Sequence, residues 1–175
     1  MVMTLNRVLT RAESLVSALF LFALLCLIAL QVFSRYLLQT PLSWTEELAR
    51  YSMVWMVFMA AAQITSRDGH IAITLLDRFT SPKSLKYFVI LSRLIVSGVC
   101  IVLLPGGWRL VNAMMNVSSP ASGIPLGYIY LAGLAGIFLI GLHSIISALL
   151  IALDRIPATA PPELMETGGI TEDEK

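Results

Sequence analysis

Residues 14–33 lie between Glu13 and Arg35 and contain no formally charged side chain. A helix needs ~20 mostly apolar residues to cross the ~30 Å hydrocarbon layer of a bilayer, and this stretch supplies them. Arg7 and Arg11 precede it, as basic residues precede a secretory signal core. The apolar run is long for such a core, however, and no small-x-small cleavage site follows, so it reads as a retained span. Only 13% of the residues are charged, against ~25% in an ordinary globular chain, while 57% are hydrophobic and the mean hydropathy is +0.82. The chain therefore has room for several spans and little else.

Three further spans are expected, giving an all-α integral membrane protein with spans at about 14–34, 43–66, 85–104 and 125–153 within a membrane domain of residues 1–155. Pro41 precedes Ser43-Trp44-Thr45-Glu46, the S-x-x-E pattern of a capping box, which announces a helix start. Counted from Ser43, the second helix is long enough to cross, with Glu46, Glu47 and Arg50 in its first two turns at headgroup level. Each of these would cost ~2.5–3.5 kcal/mol at mid-membrane. The third span is expected to end at Pro105-Gly106-Gly107, and Pro125 suits the first turn of the fourth. Residues 108–124 between them read either as a short interfacial helix with a turn at Ser118-Ser119-Pro120 or as a continuation of the third helix. Residues 156–175 are rich in proline and acid (Glu163, Glu166, Glu172, Asp173, Glu174) and read as a disordered cytoplasmic tail.

Lysine and arginine counts orient the four spans. One side holds Arg7, Arg11, Arg67, Arg78, Lys83, Lys86, Arg155 and Lys175; the other holds Arg35, Arg50 and Arg109. The bias places both termini in the cytoplasm. A net charge of +1 leaves no basic stripe for nucleic acid.

Few residues invite chemistry. Cys26 and Cys100 lie in apolar runs and read as small hydrophobes rather than a disulfide. Bis-histidine haem ligation needs two imidazoles at one depth, whereas His143 lies inside the fourth span and His70 in the loop after the second. His143 reads instead as a hydrogen bond to a neighbouring helix. The span interiors, so drawn, lack Asp and Glu, the groups a proton-coupled exporter would need. Arg93, inside the third span, either snorkels to the headgroups or pairs with Asp77 or a partner. Ala132, Gly136, Ser144, Ala148 and Ala152 form a small-residue ridge at i+4 spacing, suited to close approach by a helix of this chain or of a partner. Trp44, Trp108, Tyr36 and Tyr51 gather toward the outer half like an aromatic belt, with Trp55 deeper.

Gln31-Val32-Phe33-Ser34-Arg35-Tyr36 and Ser43-Trp44-Thr45-Glu46-Glu47-Leu48-Ala49-Arg50-Tyr51, followed by Trp55, resemble the small membrane subunit of tripartite ATP-independent periplasmic (TRAP) transporters, the DctQ-like family. Arg67-Asp68-Gly69-His70-Ile71 and Ile124-Pro125-Leu126-Gly127 are similar to that family as well. A departure lies at Ile73 to Leu76, where the family pattern leads one to expect an acid; here Asp77 comes later. The resemblance implies an accessory subunit, without catalytic residues, metal or cofactor of its own, in a bacterial inner membrane. Its implied partners are a large membrane subunit, which holds the Na+ and substrate sites and moves as an elevator, and a periplasmic substrate-binding protein. Substrates of such systems are organic acids such as C4-dicarboxylates or sialic acids. On that reading Arg35, Tyr36, Trp44, Glu46, Glu47 and Arg50 organise the periplasmic edge of the large-subunit interface, and Arg67 and His70 the cytoplasmic edge. Residues 37–42 and 106–124 would face the docking binding protein. A cofactor-carrying redox anchor and a stand-alone small transporter are the readings from other classes.

Overall fold

The computed structural model describes residues 2–40, 42–67 and 82–153. They form four helices: α1 (Val2–Tyr36), α2 (Ser43–Arg67), α3 (Pro82–Met114) and α4 (Gly127–Ala152). Three of these are long and apolar enough to cross a membrane, over Val8–Tyr36, Lys86–Met114 and Gly127–Ala152. Among the described residues the only extended pairing is one antiparallel bridge between Ser118 and Pro125. The expectation of an all-helical chain holds, and three of the four expected spans are helices long and apolar enough to cross.

The helices lie side by side in the order α1, α2, α4, α3. Helix α2 packs on α1 and on α4, α3 packs on α4 and reaches α2 through the Arg93 side chain, and α1 meets α4 only narrowly. This is an open array rather than a closed bundle. Between α1 and α2, Phe20 stacks on Trp55 with ring centroids 5.5 Å apart. Of the small residues expected to form a ridge on α4, Ala132 and Ser144 are fully buried, Gly136 and Ala148 are buried, and Ala152 is exposed. A methyl group at Gly136 would lie 2.8 Å from the Cβ of Phe58, so glycine there sets how closely α2 and α4 approach.

Helix α3 departs from its expected end. It runs through Pro105 for 33 residues, ~50 Å, to Met114. Proline removes one helical N–H and costs ~3 kcal/mol in an ordinary helix interior, but packing beyond it holds the helix together. Val111 is buried, and Gly107 sits where a Cβ would strike the Leu134 side chain at 2.8 Å. Of the two readings of residues 108–124, continuation of the third helix is the one observed as far as Met114.

The turn that follows is a tight loop. Ser119 N–H donates to the Ile124 carbonyl at 2.9 Å and Leu126 N–H to the Val117 carbonyl at 2.9 Å. Gly123 has φ +70°, a left-handed conformation that glycine adopts without strain. Pro125 is spent in the bridge to Ser118, so α4 starts two residues later than expected, behind Leu126.

The capping box at α2 also departs from expectation. Leu42 already accepts from Thr45 N–H at 3.2 Å, which places Ser43 inside the first turn rather than at its cap. The Thr45 hydroxyl donates to the same carbonyl at 2.7 Å, and Glu46 turns to Arg50 instead of back to Ser43.

Gly136→Ala should lower thermal stability in detergent by about 1–3 kcal/mol, because Phe58 Cβ is fixed to its backbone and cannot move aside. Gly133→Ala is the control: its new methyl would meet the Phe58 ring no closer than 3.4 Å, and melting should change little.

Candidate interaction site at the helix ends

Two groups of interacting polar side chains stand toward opposite ends of the array. At one end the last turn of α1 faces the first turn of α2, and Gln31, Arg35, Gln39, Leu42, Ser43 and Glu46 line a cleft of about 420 Å³. The chain can turn so sharply here because Gln39 takes a positive φ of 54°. Thr40 N–H then returns to the Ser34 carbonyl at 3.3 Å, while the buried Ser34 hydroxyl donates to the Thr40 carbonyl. Glu46 and Arg50 pair at 3.4 Å with side chains 63% and 68% exposed. A pair so wet contributes only ~0.3–0.5 kcal/mol, which leaves both groups free to take other partners. Arg35, Tyr36 and Trp44 are exposed beside them.

Glu47 is turned the other way. Its Oε2 accepts from Ser122 N–H at 2.8 Å, and its Oε1 accepts from the Tyr51 hydroxyl. The carboxylate therefore ties the start of α2 to the loop between α3 and α4. Sequence reasoning grouped Glu46 with Glu47 because the two are adjacent. On a helix, neighbours point ~100° apart, and the inward stripe of Thr45, Ala49 and Ser52 decides which faces out.

At the opposite end, α1 begins beside the ends of α2 and α4. His143 is fully buried, with Nε2 2.7 Å from Glu13 Oε1 and Nδ1 2.8 Å from Asn6 Oδ1. Asn6 Nδ2 reaches Ser66 Oγ at 3.4 Å and Thr10 Oγ1 lies 3.1 Å from the same hydroxyl. The expected hydrogen bond from His143 to a neighbouring helix is present. Glu13, just before the uncharged run 14–33, is 4% exposed and lies on the same continuous helix as that run. The sequence concealed this because the group that makes its burial tolerable is 130 residues away. The one local signal was polar spacing: Asn6, Thr10 and Glu13 recur at i, i+4 and i+7 on α1.

Arg93 reaches across to α2, where Nη1 donates to the Thr65 carbonyl at 3.1 Å. Thr65 lies in the last turn, whose carbonyls have no intrahelical donor, so the guanidinium serves as a cap. Arg67 ends α2, but His70 and Asp77 lie outside the described residues. Cys26 and Cys100 are both free thiols. Among the described residues no group of three or more His, Cys, Asp or Glu gathers as a metal site. His143 has both ring nitrogens engaged, and axial ligation would break one of those bonds.

Comparison with known proteins gives the architecture its context. Residues 24–153 match the family described as tripartite ATP-independent periplasmic transporters, DctQ component. A protein of Haemophilus influenzae named "Putative TRAP transporter small permease protein" is 29% identical over 112 residues, 63% of this chain and 70% of its own length. The "Sialic acid TRAP transporter small permease protein SiaQ" of Vibrio cholerae is 31% identical over 70 residues, 40% of each chain. The matched segment takes in the last third of α1, with Arg35, and all of α2, with Glu46 and Glu47, as well as α3 and α4, and the chain belongs to the DctQ family of TRAP transporter small permease subunits.

Proposed function

We propose that this chain is the accessory membrane subunit of a Na+-coupled, binding-protein-dependent transporter for organic acids, and that it braces the stationary scaffold of a large elevator-type subunit. Family membership carries the reading. The geometry supports it in two ways. Two clefts within the helix layer, among the described residues, are lined by apolar groups such as Leu104, Leu131 and Phe138, or Val54, Phe58 and Ile137, and offer an anionic solute no counter-charge. The exposed polar groups instead stand at the ends of the helices, where a second chain can reach them.

The array crosses the inner membrane four times on this reading, with both termini in the cytoplasm. Helix α2 is less apolar than the others, but its 25 residues reach ~37 Å, enough for the ~30 Å hydrocarbon layer. It runs beside α1 and α4 with its start at the end of α1 and its finish at the start of α1. The Arg35, Glu46 and Arg50 end is then periplasmic and the Asn6, Ser66 and His143 end cytoplasmic.

Within this function the two adjacent glutamates divide the work. Arg35, Tyr36, Trp44, Glu46 and Arg50 form the outward edge that meets the large subunit, with Arg67 and His70 assigned to its cytoplasmic edge. Glu47 holds the 115–126 loop in the shape that faces the periplasmic binding protein. Sialic acid is named for the Vibrio cholerae relative, and a carboxylated sugar of that kind is one substrate class to assay first.

Three outcomes are expected. Co-expressed with its large subunit and assayed in liposomes with the binding protein, the pair should show Na+-driven uptake that disappears when this chain is omitted; uptake by this chain alone would refute the accessory role. Glu46→Gln or Arg50→Gln should weaken co-purification with the large subunit several-fold while leaving the isolated chain's melting unchanged. Glu47→Ala should do the reverse: the isolated chain melts at a lower temperature and protease cleavage within residues 115–126 accelerates, since Ser122 N–H and the Tyr51 hydroxyl lose their acceptor.

A further inference from the structure

The buried network at the start of α1 is not used by any of the roles above. Glu13 and His143 are 4% and 0% exposed, and they come from opposite ends of the sequence. We propose that Glu13 and His143 hold one proton between them, and that this net-neutral pair, together with Asn6, fixes where α1 sits along α2 and α4.

The proton count follows from the geometry. Nδ1 of His143 faces the amide oxygen of Asn6 at 2.8 Å, an acceptor, so Nδ1 carries a hydrogen. Nε2 lies 2.7 Å from Glu13 Oε1, a distance that requires one hydrogen between the two atoms. That hydrogen belongs either to an imidazolium beside a carboxylate or to a carboxylic acid beside an imidazole. Both forms have the same number of protons and no net charge. Turning the Asn6 amide over would make it the donor to Nδ1 and leave Glu13 a bare anion. Its second oxygen, Oε2, is buried without a partner, and His143 is its one cationic partner among the described side chains. A buried unpaired charge is the costlier arrangement, and the same amide orientation lets Asn6 Nδ2 reach Ser66 Oγ at 3.4 Å.

The placement of α1 follows from the same contacts. One imidazole grips Asn6 and Glu13, which stand seven residues, about two turns, apart on α1. Thr10, midway between them, meets Ser66 of α2 at 3.1 Å. Apolar packing alone constrains α1 weakly, because Leu15, Leu19, Phe22 and Leu25 are each more than half exposed. A two-point polar contact selects one rotation and one height. The helix is continuous for 35 residues, so slipping by a turn at this end would carry Arg35 ~5.4 Å from its place beside Ser43 and Glu46. Glu13, Asn6 and His143 are thus positioning residues for the far edge of the molecule, and this holds whatever that edge binds.

The test uses the full chain in lipid nanodiscs. With His70→Gln leaving His143 as the one imidazole, nitrogen-15 spectra should show Nδ1 protonated; an unprotonated Nδ1 would overturn the proton count. Hydrogen exchange in the first three turns of α1 should quicken by about ten-fold or more in Glu13→Ala, which leaves the ring a partner short. Glu13→Gln can donate its amide N–H to Nε2 in place of the shared proton, and its exchange should stay within about three-fold of the parent. Unchanged exchange in Glu13→Ala, or equal acceleration in Glu13→Gln, would overturn the positioning role. If Glu13→Ala does not insert, the parent spectrum and the Glu13→Gln variant still decide the question.

Discussion

A polar group inside a layer of apolar helices must find its partner within the protein, and this requirement organises the molecule. Two carboxylates meet it at opposite ends. Glu13 is answered by His143 near the start of α1, and Glu47 by Ser122 and Tyr51 near the start of α2. Each tie joins segments far apart in sequence, and together they clamp the α1, α2 and α4 layer top and bottom. The apolar contacts between the ties are broad but unspecific, since hydrocarbon packs as well against lipid as against leucine. Specific placement comes from the few hydrogen bonds and from the glycines that let backbones approach.

The open order α1, α2, α4, α3 has consequences for surface. A closed bundle hides the inner stripe of all four helices, whereas here α1 and α3 end the array and each has one packed flank. Tyr87, Val102 and Leu19 are typical of what these outer helices expose, at 75%, 77% and 59%. In water such surface would drive aggregation; in a bilayer it is solvated by lipid or covered by another chain. On the small-residue ridge of α4, Gly136 is already covered inside the chain by Phe58 of α2.

Much of this was legible in the sequence, for identifiable reasons. Span 14–33 and the fourth helix could be read because uninterrupted apolar runs have few alternatives in physical terms. The ridge from Ala132 to Ala148 could be read because spacing alone puts those residues on one face. What escaped were outcomes set by tertiary partners. Pro105 is a helix breaker by local rule, yet Val111 and the approach of Leu134 to Gly107 keep α3 going. Ser43 and Glu46 satisfy the capping pattern, yet Leu42 takes the capping position. The burial of Glu13 has no local cause in the sequence, because its histidine lies on α4, 130 residues away.

The division between Glu46 and Glu47 shows how a motif can hold two functions at adjacent positions. A W-x-E-E-x-x-R string looks like one charged cluster, but helical geometry sends its carboxylates to different neighbours. The outward one forms a weak, wet pair with Arg50, which another protein can displace at little cost. The inward one has its acceptors filled by the chain itself and cannot be released without unfastening a loop. Substituting the two together would therefore mix a lost contact with a lost structure. Only separate replacement can tell whether this end of the molecule acts through what it touches or through the shape it keeps.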